Sequence, residues 1–309
     1  MLHSCASGIA GNYDREILGF WLGQIATLSD DDVLVDVGTG NGAIPLLALD
    51  NARQRGISLR IHGVDLADID PVADIADGAS RFDGIRFHPG TSMTALPFGD
   101  GSVSLLCSQF AFEYAPRAES AGEILRIIGT KGSAAMIVHS TDSVIATVAE
   151  AQHHGCRWLL SESDLLPAAG RLLDAMAGAT SREARTALAR DPVAESARHA
   201  FNDAASKLMS QIEANPSAEL LQQTAQRISR LLAHPFATHD EADAAISSLR
   251  TWIEDEQQRL LLMQAAALDQ QSLDDAVRLL GASGLAVRTG RLLYGGDTCM
   301  GWTIVVGNG

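Results

Sequence analysis

The sequence predicts an α/β fold in which helices cover both faces of a parallel sheet and a helical segment interrupts it. Short apolar runs alternate with helical patterns over about the first 140 residues. No strand candidate follows from about Thr141 to Leu268, and strand patterns then return before the C-terminus. Strands that are apolar on both faces are typical of a buried parallel sheet, so the two outer parts are expected to form one domain.

The first part of the chain alternates in order. Apolar residues at helical spacing from Ile17 to Ile25 predict a first helix. Two further helices are predicted over residues 45–53 and 118–128, the latter ended by Gly129 and Gly132. The short apolar runs predict five strands over residues 33–37, 59–64, 85–87, 103–107 and 134–138.

The middle part contains only helix signals. Ser161 with Asp164 and Thr238 with Glu241 have capping-box spacing. Helix starts are also predicted where a cap residue precedes a proline, at Asp191-Pro192 and Asn215-Pro216. Five or six helices are expected here. We expect residues 141–269 to be an all-α insertion that acts as a lid, as a dimer interface or as both.

The sheet pattern returns near the C-terminus. Ser272 with Asp275 predicts a capped helix that continues to Leu280, and two strands are predicted over residues 285–287 and 303–306. The short link containing Gly295-Gly296 permits an antiparallel hairpin. Residues 1–140 and 270–309 would thus form one seven-stranded domain, with the insertion between strands five and six.

Composition excludes several classes of protein. Lys and Arg total 23 against 38 Asp and Glu, a net charge of −15, which disfavours binding to a phosphate backbone. No apolar run approaches the roughly 18 residues of a membrane span. The four cysteines are far apart, so no metal site is expected. The first twelve residues lack the pattern of a signal peptide, and a reducing cytoplasm is the expected compartment.

A glycine-rich turn is the most informative stretch. Gly38, Gly40 and Gly42 follow the first strand and precede a helix, where backbone can approach a ligand closely. Asp36 lies two residues before the turn, where a carboxylate would face an amine or a water network. Asp65 ends the next strand, where a carboxylate can accept hydrogen bonds from both ribose hydroxyls. The same glycines weakly fit a dinucleotide fingerprint, but Asp36 near a pyrophosphate and the C-terminal hairpin argue against NAD.

These residues resemble the class I S-adenosylmethionine-dependent methyltransferases, which have a Rossmann-like fold. Residues 35–42 are similar to the family's first motif, and Asp65 matches its ribose-binding acid. Segments 96–103 and 123–132 are similar to its later signatures, and Tyr13-Asp14 to an N-terminal element that covers the cofactor. The resemblance implies S-adenosylmethionine as cofactor, with Ser92 and Met93 in the loop that touches adenine. The full set of expected cofactor-binding residues is Tyr13, Asp36, Gly38, Thr39, Gly40, Gly42, Asp65, Leu66, Ser92, Met93, Ser108, Gln109 and Phe110.

The acceptor of the methyl group should lie beyond the carboxyl ends of strands four and five. His139 follows the fifth strand and is the expected general base, because imidazole titrates near neutrality. Glu113 and Tyr114 follow the fourth strand and are the other catalytic candidates. All three have a plain structural alternative, namely packing against the sheet.

The sequence therefore predicts a methyltransferase (EC 2.1.1.-) acting on a small molecule, with oxygen favoured over nitrogen or carbon. The segment after strand four lacks the Asn/Asp-Pro-Pro-Tyr motif of enzymes that methylate amides and exocyclic base amines. Three alternatives stay open. They are a protein or peptide methyltransferase, a non-catalytic S-adenosylmethionine-binding protein whose helices bind a partner, and a dinucleotide-dependent oxidoreductase.

Overall fold

A computed structural model describes residues 15–215, 217–233 and 236–307. They form two compact units. One comprises the residues up to Ala146 and those from Ala266 onward, and the other comprises the residues from Thr147 to Ala265.

The first unit is built on a seven-stranded sheet with the order β3-β2-β1-β4-β5-β7-β6. Strands β1 to β5 are parallel, whereas β7 is antiparallel to both β5 and β6. The predicted fold class, with its antiparallel C-terminal hairpin, is confirmed. The strands are β1 Val33–Val37, β2 Arg60–Val64, β3 Ile85–His88, β4 Leu105–Gln109, β5 Ser133–Val138, β6 Val287–Tyr294 and β7 Thr298–Val306.

Helices cover both faces of this sheet. On one face, α5 and α12 bury Ile124 and Leu273 against side chains of β1 and β5. On the other, α1 buries Trp21 against Leu34 of β1 and its neighbours. The helices of this unit are α1 Arg15–Ile25, α2 Ala43–Arg55, α3 Pro71–Asp74, α4 Gly78–Arg81, α5 Arg117–Ile128 and α12 Gln270–Leu280.

Six helices and no strand lie between β5 and α12 in the part of the chain that the structure describes. They are α6 Val144–Arg157, α7 Leu165–Met176, α8 Arg182–Leu188, α9 Pro192–Ala214, α10 Glu219–Ala233 and α11 His239–Ala266. A π-helical turn, Trp158–Glu162, follows α6. None of the described helices is long and apolar enough to cross a membrane.

Two predicted helix starts in this segment are confirmed. The Glu241 carboxylate accepts the Thr238 N–H, and the Thr238 hydroxyl accepts the Glu241 N–H, at 3.3 and 3.2 Å. This is the reciprocal pairing of a capping box. Asp191 caps α9 by accepting the Val193 N–H at 2.8 Å, ahead of Pro192.

Three other predicted starts are wrong. Ser161 lies inside the π-helical turn and caps nothing. Asn215 ends α9 and accepts the Ser217 N–H in a local turn. Asp269, not Ser272, caps α12, because its carboxylate accepts the Ser272 N–H at 2.8 Å and starts the helix three residues earlier.

Candidate active site

The glycine turn links the ends of β1 and β2. The N–H groups of Gly38 and Thr39 donate to the Val64 carbonyl at 2.8 and 3.0 Å, and the Gly40 N–H donates to Asp65 Oδ2 at 2.8 Å. Gly38, Gly40 and Gly42 all have left-handed backbone, with φ of 73°, 51° and 75°. The glycine turn and Asp65 are therefore in direct contact.

The three glycines serve different purposes. A Cβ on Gly38 would lie 2.2 Å from the Ala111 Cβ, and one on Gly42 would lie 2.8 Å from the Phe87 ring. A Cβ on Gly40 would meet nothing within 4 Å. Gly38 and Gly42 thus permit close packing, whereas Gly40 faces open space that a ligand can enter.

Asp65 retains the capacity to bind a ligand. Its Oδ2 accepts the Gly40 N–H, and its Oδ1 accepts the Ala67 N–H at 2.9 Å. A carboxylate has about four acceptor positions, so one on each oxygen remains for a pair of hydroxyls. Leu66 is 72% exposed beside it, so its side chain is accessible to a ligand.

Asp36 is a buried carboxyl group at the end of β1. It is 2% exposed, and burial raises its pKa to about 7; a hydrogen bond with Thr39 lowers the pKa by less, and the charge of Asp65 adds a smaller rise. Its Oδ1 has no hydrogen-bond partner within the standard distance among the described residues, and the same holds for the buried Ser108 hydroxyl. Unsatisfied buried polar atoms are costly, and a polar ligand at these strand ends would satisfy them. These residues therefore fit a cofactor such as S-adenosylmethionine.

The loop after β3 holds the residues expected near adenine. The Ser92 hydroxyl lies 2.8 Å from the Thr94 hydroxyl and accepts the Thr94 N–H at 3.2 Å. Met93 is 8% exposed and belongs to the core below. The Ser92 side chain therefore shapes this loop, and Met93 supports it from beneath.

A charged network that sequence reasoning did not find fixes the next stretch of this loop. The Arg126 guanidinium donates to the carbonyls of Leu96 and Phe98 at 3.2 and 2.8 Å. Glu123 pairs with Arg126 and accepts the Leu96 N–H at 2.6 Å; the hydrogen bond from Arg126 lowers the pKa of Glu123. Segments 96–103 and 123–132 are therefore joined by hydrogen bonds between Glu123 or Arg126 and the loop backbone.

The segment after β4 connects the glycine turn with His139. Ala111 packs against Gly38, whereas Phe110 stacks on the His139 imidazole with centroids 4.3 Å apart. Glu113 Oε1 lies 2.6 Å from His139 Nδ1 and accepts the His139 backbone N–H at 2.7 Å. Because β4 alone separates β1 from β5, His139 follows a strand about 10 Å from the glycine turn.

The remaining predicted residues lie close by. Tyr114 is 47% exposed and presents its ring edge-on to His139 at 6.0 Å. The Gln109 side-chain oxygen accepts the Trp21 indole N–H at 2.7 Å, which fixes the orientation of the amide. The sequence places Trp21 only in the first helix, because no local pattern reveals a bond between residues 88 positions apart. Tyr13 lies outside the described residues.

The sequence also provides no indication of a contact between His62 and His88. His62 Nδ1 lies 3.0 Å from His88 Nε2, and both rings pack edge-on against Phe98. Burial, with smaller effects from His88 and two arginines, lowers the pKa of His62 to about 4. Within the described ranges, no group of three or more His, Cys, Asp or Glu residues could hold a metal ion.

Comparisons with known proteins give limited matches. No family model matches the chain, and no curated protein matches it. Among solved structures, it is similar to geranyl diphosphate C-methyltransferase from Streptomyces coelicolor A3(2), with bound Mg²⁺, geranyl diphosphate and S-adenosyl-L-homocysteine. The two sequences are 25% identical. The match covers 40% of this chain and 45% of that chain, with a TM-score of 0.34.

Two further structures match at the same level. A geranyl diphosphate methyltransferase in complex with SAM is 20% identical over 40% of this chain and 48% of that chain, at a TM-score of 0.34. The CMeT domain of the citrinin polyketide synthase is 14% identical over 38% of this chain and 32% of that chain, at a TM-score of 0.33. The chain spans less than half the length of each of these three structures. Its own residues must therefore carry the functional argument.

Proposed function

We propose that this protein is an S-adenosylmethionine-dependent methyltransferase that acts on a small molecule, with oxygen favoured over nitrogen or carbon as the acceptor atom. The observation that supports this most is the contact between the glycine turn and Asp65, with open space at Gly40. The buried Asp36 argues against NAD, since a carboxyl group is poorly suited to the neighbourhood of a pyrophosphate. The motif resemblance of residues 35–42 selects S-adenosylmethionine from the remaining nucleoside ligands.

Each side of the site has an assigned task. Asp65 would accept the ribose hydroxyls, Leu66 and the Ser92–Met93 loop would contact the adenine, and Ser108 to Phe110 would border the methionine part. When bound, the cofactor supplies an electrophilic methyl group on a sulfonium. The protein's contribution is to hold the acceptor in line with that group in a dry pocket, since orientation alone accounts for much of such a rate enhancement. His139 would accept the acceptor's proton.

The remaining expectations belong to the same proposal. Residues 141–269 would shape the acceptor pocket as a lid, form a homodimer interface, or do both. The protein would work in the cytoplasm without nucleic acid or membrane as partner. A protein or peptide acceptor, or binding without catalysis, would use the same cofactor residues and differ in what the helices contact.

Calorimetric titration tests the cofactor assignment. Purified protein would be titrated with S-adenosylmethionine, S-adenosylhomocysteine and NAD, beside the variants Asp65→Ala and Asp68→Ala. Asp68 is exposed and three residues away, so it is a matched control. We expect the adenosyl ligands to bind and NAD not to bind. Asp65→Ala should weaken binding at least about tenfold, or 1.4 kcal/mol, while Asp68→Ala leaves it unchanged. Binding of NAD alone, or no adenosyl binding, would overturn the proposal.

A further inference from the structure

Glu113 is the most deeply buried carboxylate that the proposed cofactor site does not use. Its side chain is 0% exposed and lies in the 3₁₀ turn Phe112–Tyr114 that follows β4. Its Oε1 receives the backbone N–H of His139 at 2.7 Å, and its Oε2 has no partner within the described part of the chain. Burial of a carboxylate with so few partners is costly, so packing alone does not explain this residue.

The contacts of Glu113 decide which imidazole nitrogen of His139 carries the proton. The backbone N–H fixes Oε1 as an acceptor, and Nδ1 lies 2.6 Å from that same oxygen. Nδ1 therefore donates its proton to the carboxylate, and the neutral ring holds its free electron pair on Nε2. Nε2 makes no hydrogen bond within the described ranges, so it is available to take a proton.

Phe110 fixes the plane of the same ring. It stacks on His139 with an interplanar angle of 28°, and it does so from a left-handed backbone with φ of 53°. Such a conformation is uncommon for a bulky residue and persists only where the surroundings hold it. The ring of His139 is thus fixed in position by Phe110 and in protonation by Glu113.

We propose that Glu113 is a positioning residue that keeps His139 protonated on Nδ1 and stabilises the imidazolium, and that the methyl acceptor is a hydroxyl group. The proposal depends on the proposed function. The O–H bond of the acceptor breaks, its proton bonds to Nε2, and the electron pair stays on the oxygen that receives the methyl group. The imidazolium, paired with the carboxylate, later returns the proton to water. A neutral amine is a strong enough nucleophile to attack first and lose its proton afterwards, so it has no need of such a base before attack.

This assignment changes the role expected for Glu113. As a catalytic residue it would contact the acceptor, but within the described part of the chain its side chain forms hydrogen bonds with His139 alone. Only His139 would touch the reacting atoms.

Nitrogen NMR of protein with ¹⁵N-labelled histidine tests the tautomer in the free protein. The His139 signals would be assigned by their loss in His139→Gln. Wild type should show the Nδ1–H form, and so should Glu113→Gln, because the amide oxygen can still face the backbone N–H. In Glu113→Ala the ring should gain the Nε2–H form. Glu119→Gln, exposed in the first turn of α5, is the matched control. An Nε2–H ring in folded wild type would overturn the proposal.

Methyl transfer from labelled S-adenosylmethionine to paired panels of small alcohols, phenols and amines tests the role of the charge. Glu113→Gln keeps the shape and removes the charge, so kcat for hydroxyl acceptors should fall roughly ten- to hundredfold while KM stays the same. Equal kcat in the variant, or transfer to amines alone, would overturn the proposal. If folded wild type fails to bind S-adenosylhomocysteine, the proposed function fails. If it binds and the ring is Nε2–H, only the present inference fails.

Discussion

At the scale of single residues, the two glycines at the start of the turn carry different constraints. Gly38 and Gly40 both have left-handed backbone, at φ of 73° and 51°. Only at Gly38 would a Cβ collide with another residue, at 2.2 Å from Ala111. One pair of alanine substitutions therefore separates backbone strain from steric exclusion.

Gly38→Ala should destabilise the protein by about 3 kcal/mol or more, since it adds a clash to the strain of a left-handed alanine. Gly40→Ala should cost about 1 kcal/mol, the strain alone, and should weaken S-adenosylhomocysteine binding because the new methyl group enters the open space. Urea unfolding and calorimetry of both variants provide the measurements. Equal losses of stability would show that Ala111 yields without cost.

Asp36 carries a free-energy penalty that depends on pH. Burial raises its pKa from 3.8 to about 7 in the folded protein, so between these values the folded state binds more protons than the unfolded state. The stability contributed by this group is therefore highest at acid pH and falls as the pH rises through about 7. The full difference is on the order of 4 kcal/mol.

Asp36→Asn should remove this dependence. Between pH 5 and 8, the unfolding free energy of wild type should fall relative to that of the variant, steadily up to the folded pKa of about 7 and little above it. Urea unfolding at four pH values measures both curves. Parallel curves would mean that Asp36 is ionised throughout this range.

At the residue scale, the sequence locates the turn and the strand-end acid because their signals are local. Gly38, Gly40 and Asp65 were recognisable because a turn between strand and helix needs positive φ and the next strand end lies beside it. The contact of Glu113 with His139 was not, because the two are 26 residues apart and follow different strands, β4 and β5. The sequence identified Glu113 and His139 as separate candidates, and only the structure shows that they are hydrogen-bonded.

At the scale of elements, the loop from Leu96 to Asp100 depends on α5. Arg126 donates to two loop carbonyls and to Asp100, so the loop and the helix are joined by charge-assisted hydrogen bonds. The guanidinium forms these bonds in one plane. A single ammonium group cannot reproduce that set.

Arg126→Lys should therefore loosen the loop and, if the loop lies beside adenine, weaken S-adenosylhomocysteine binding roughly tenfold, or about 1.4 kcal/mol. Arg278→Lys is the matched control, since Arg278 forms an exposed pair with Asp275 on α12. Calorimetry of both variants measures the affinity. If the two variants bind equally well, the loop has no part in the cofactor site.

The bounds of a strand could be predicted more accurately where its residues are uniformly apolar. The centre of the sheet was found within two residues, since β1 and β5 are nearly uniformly buried. The hairpin strands were predicted over residues 285–287 and 303–306 but extend over Val287–Tyr294 and Thr298–Val306. Arg288, Gly290 and Arg291 interrupt the apolar pattern of β6, and its length is set by pairing with β7. The polar residues Ser108 and Gln109 likewise made the predicted β4 end at Cys107, two residues too early.

At the scale of the whole molecule, the chain leaves and re-enters the first unit at adjacent points. The Thr141 N–H donates to the Leu268 carbonyl at 3.1 Å, and the Leu268 N–H donates to the His139 carbonyl at 2.9 Å. These bonds hold the two ends of the helical segment side by side within the sheet-containing unit. They also tie the segment's ends to the residue proposed as the general base.

This arrangement predicts that the first unit can fold without the second. A variant in which a short glycine-serine linker replaces residues 147–265 should stay folded, because Thr141 and Leu268, a few residues from the two ends, are already hydrogen-bonded and closing a short flexible loop costs little. It should bind S-adenosylhomocysteine, because the glycine turn, Asp65 and Asp36 all lie in the first unit. It should not transfer methyl groups if the helices shape the acceptor pocket.

Circular dichroism, calorimetry and transfer of labelled methyl from S-adenosylmethionine measure the three properties separately. The same deletion carrying Asp65→Ala is the control, and it should fold without binding. Folding with binding but no transfer would assign the helices to the acceptor. Full transfer by the deletion variant would instead leave the helices the role of an interface, and loss of folding would show that the sheet depends on them. The outcome depends on whether the second unit holds part of the acceptor, because His139, the proposed base, remains in the first unit with the cofactor residues.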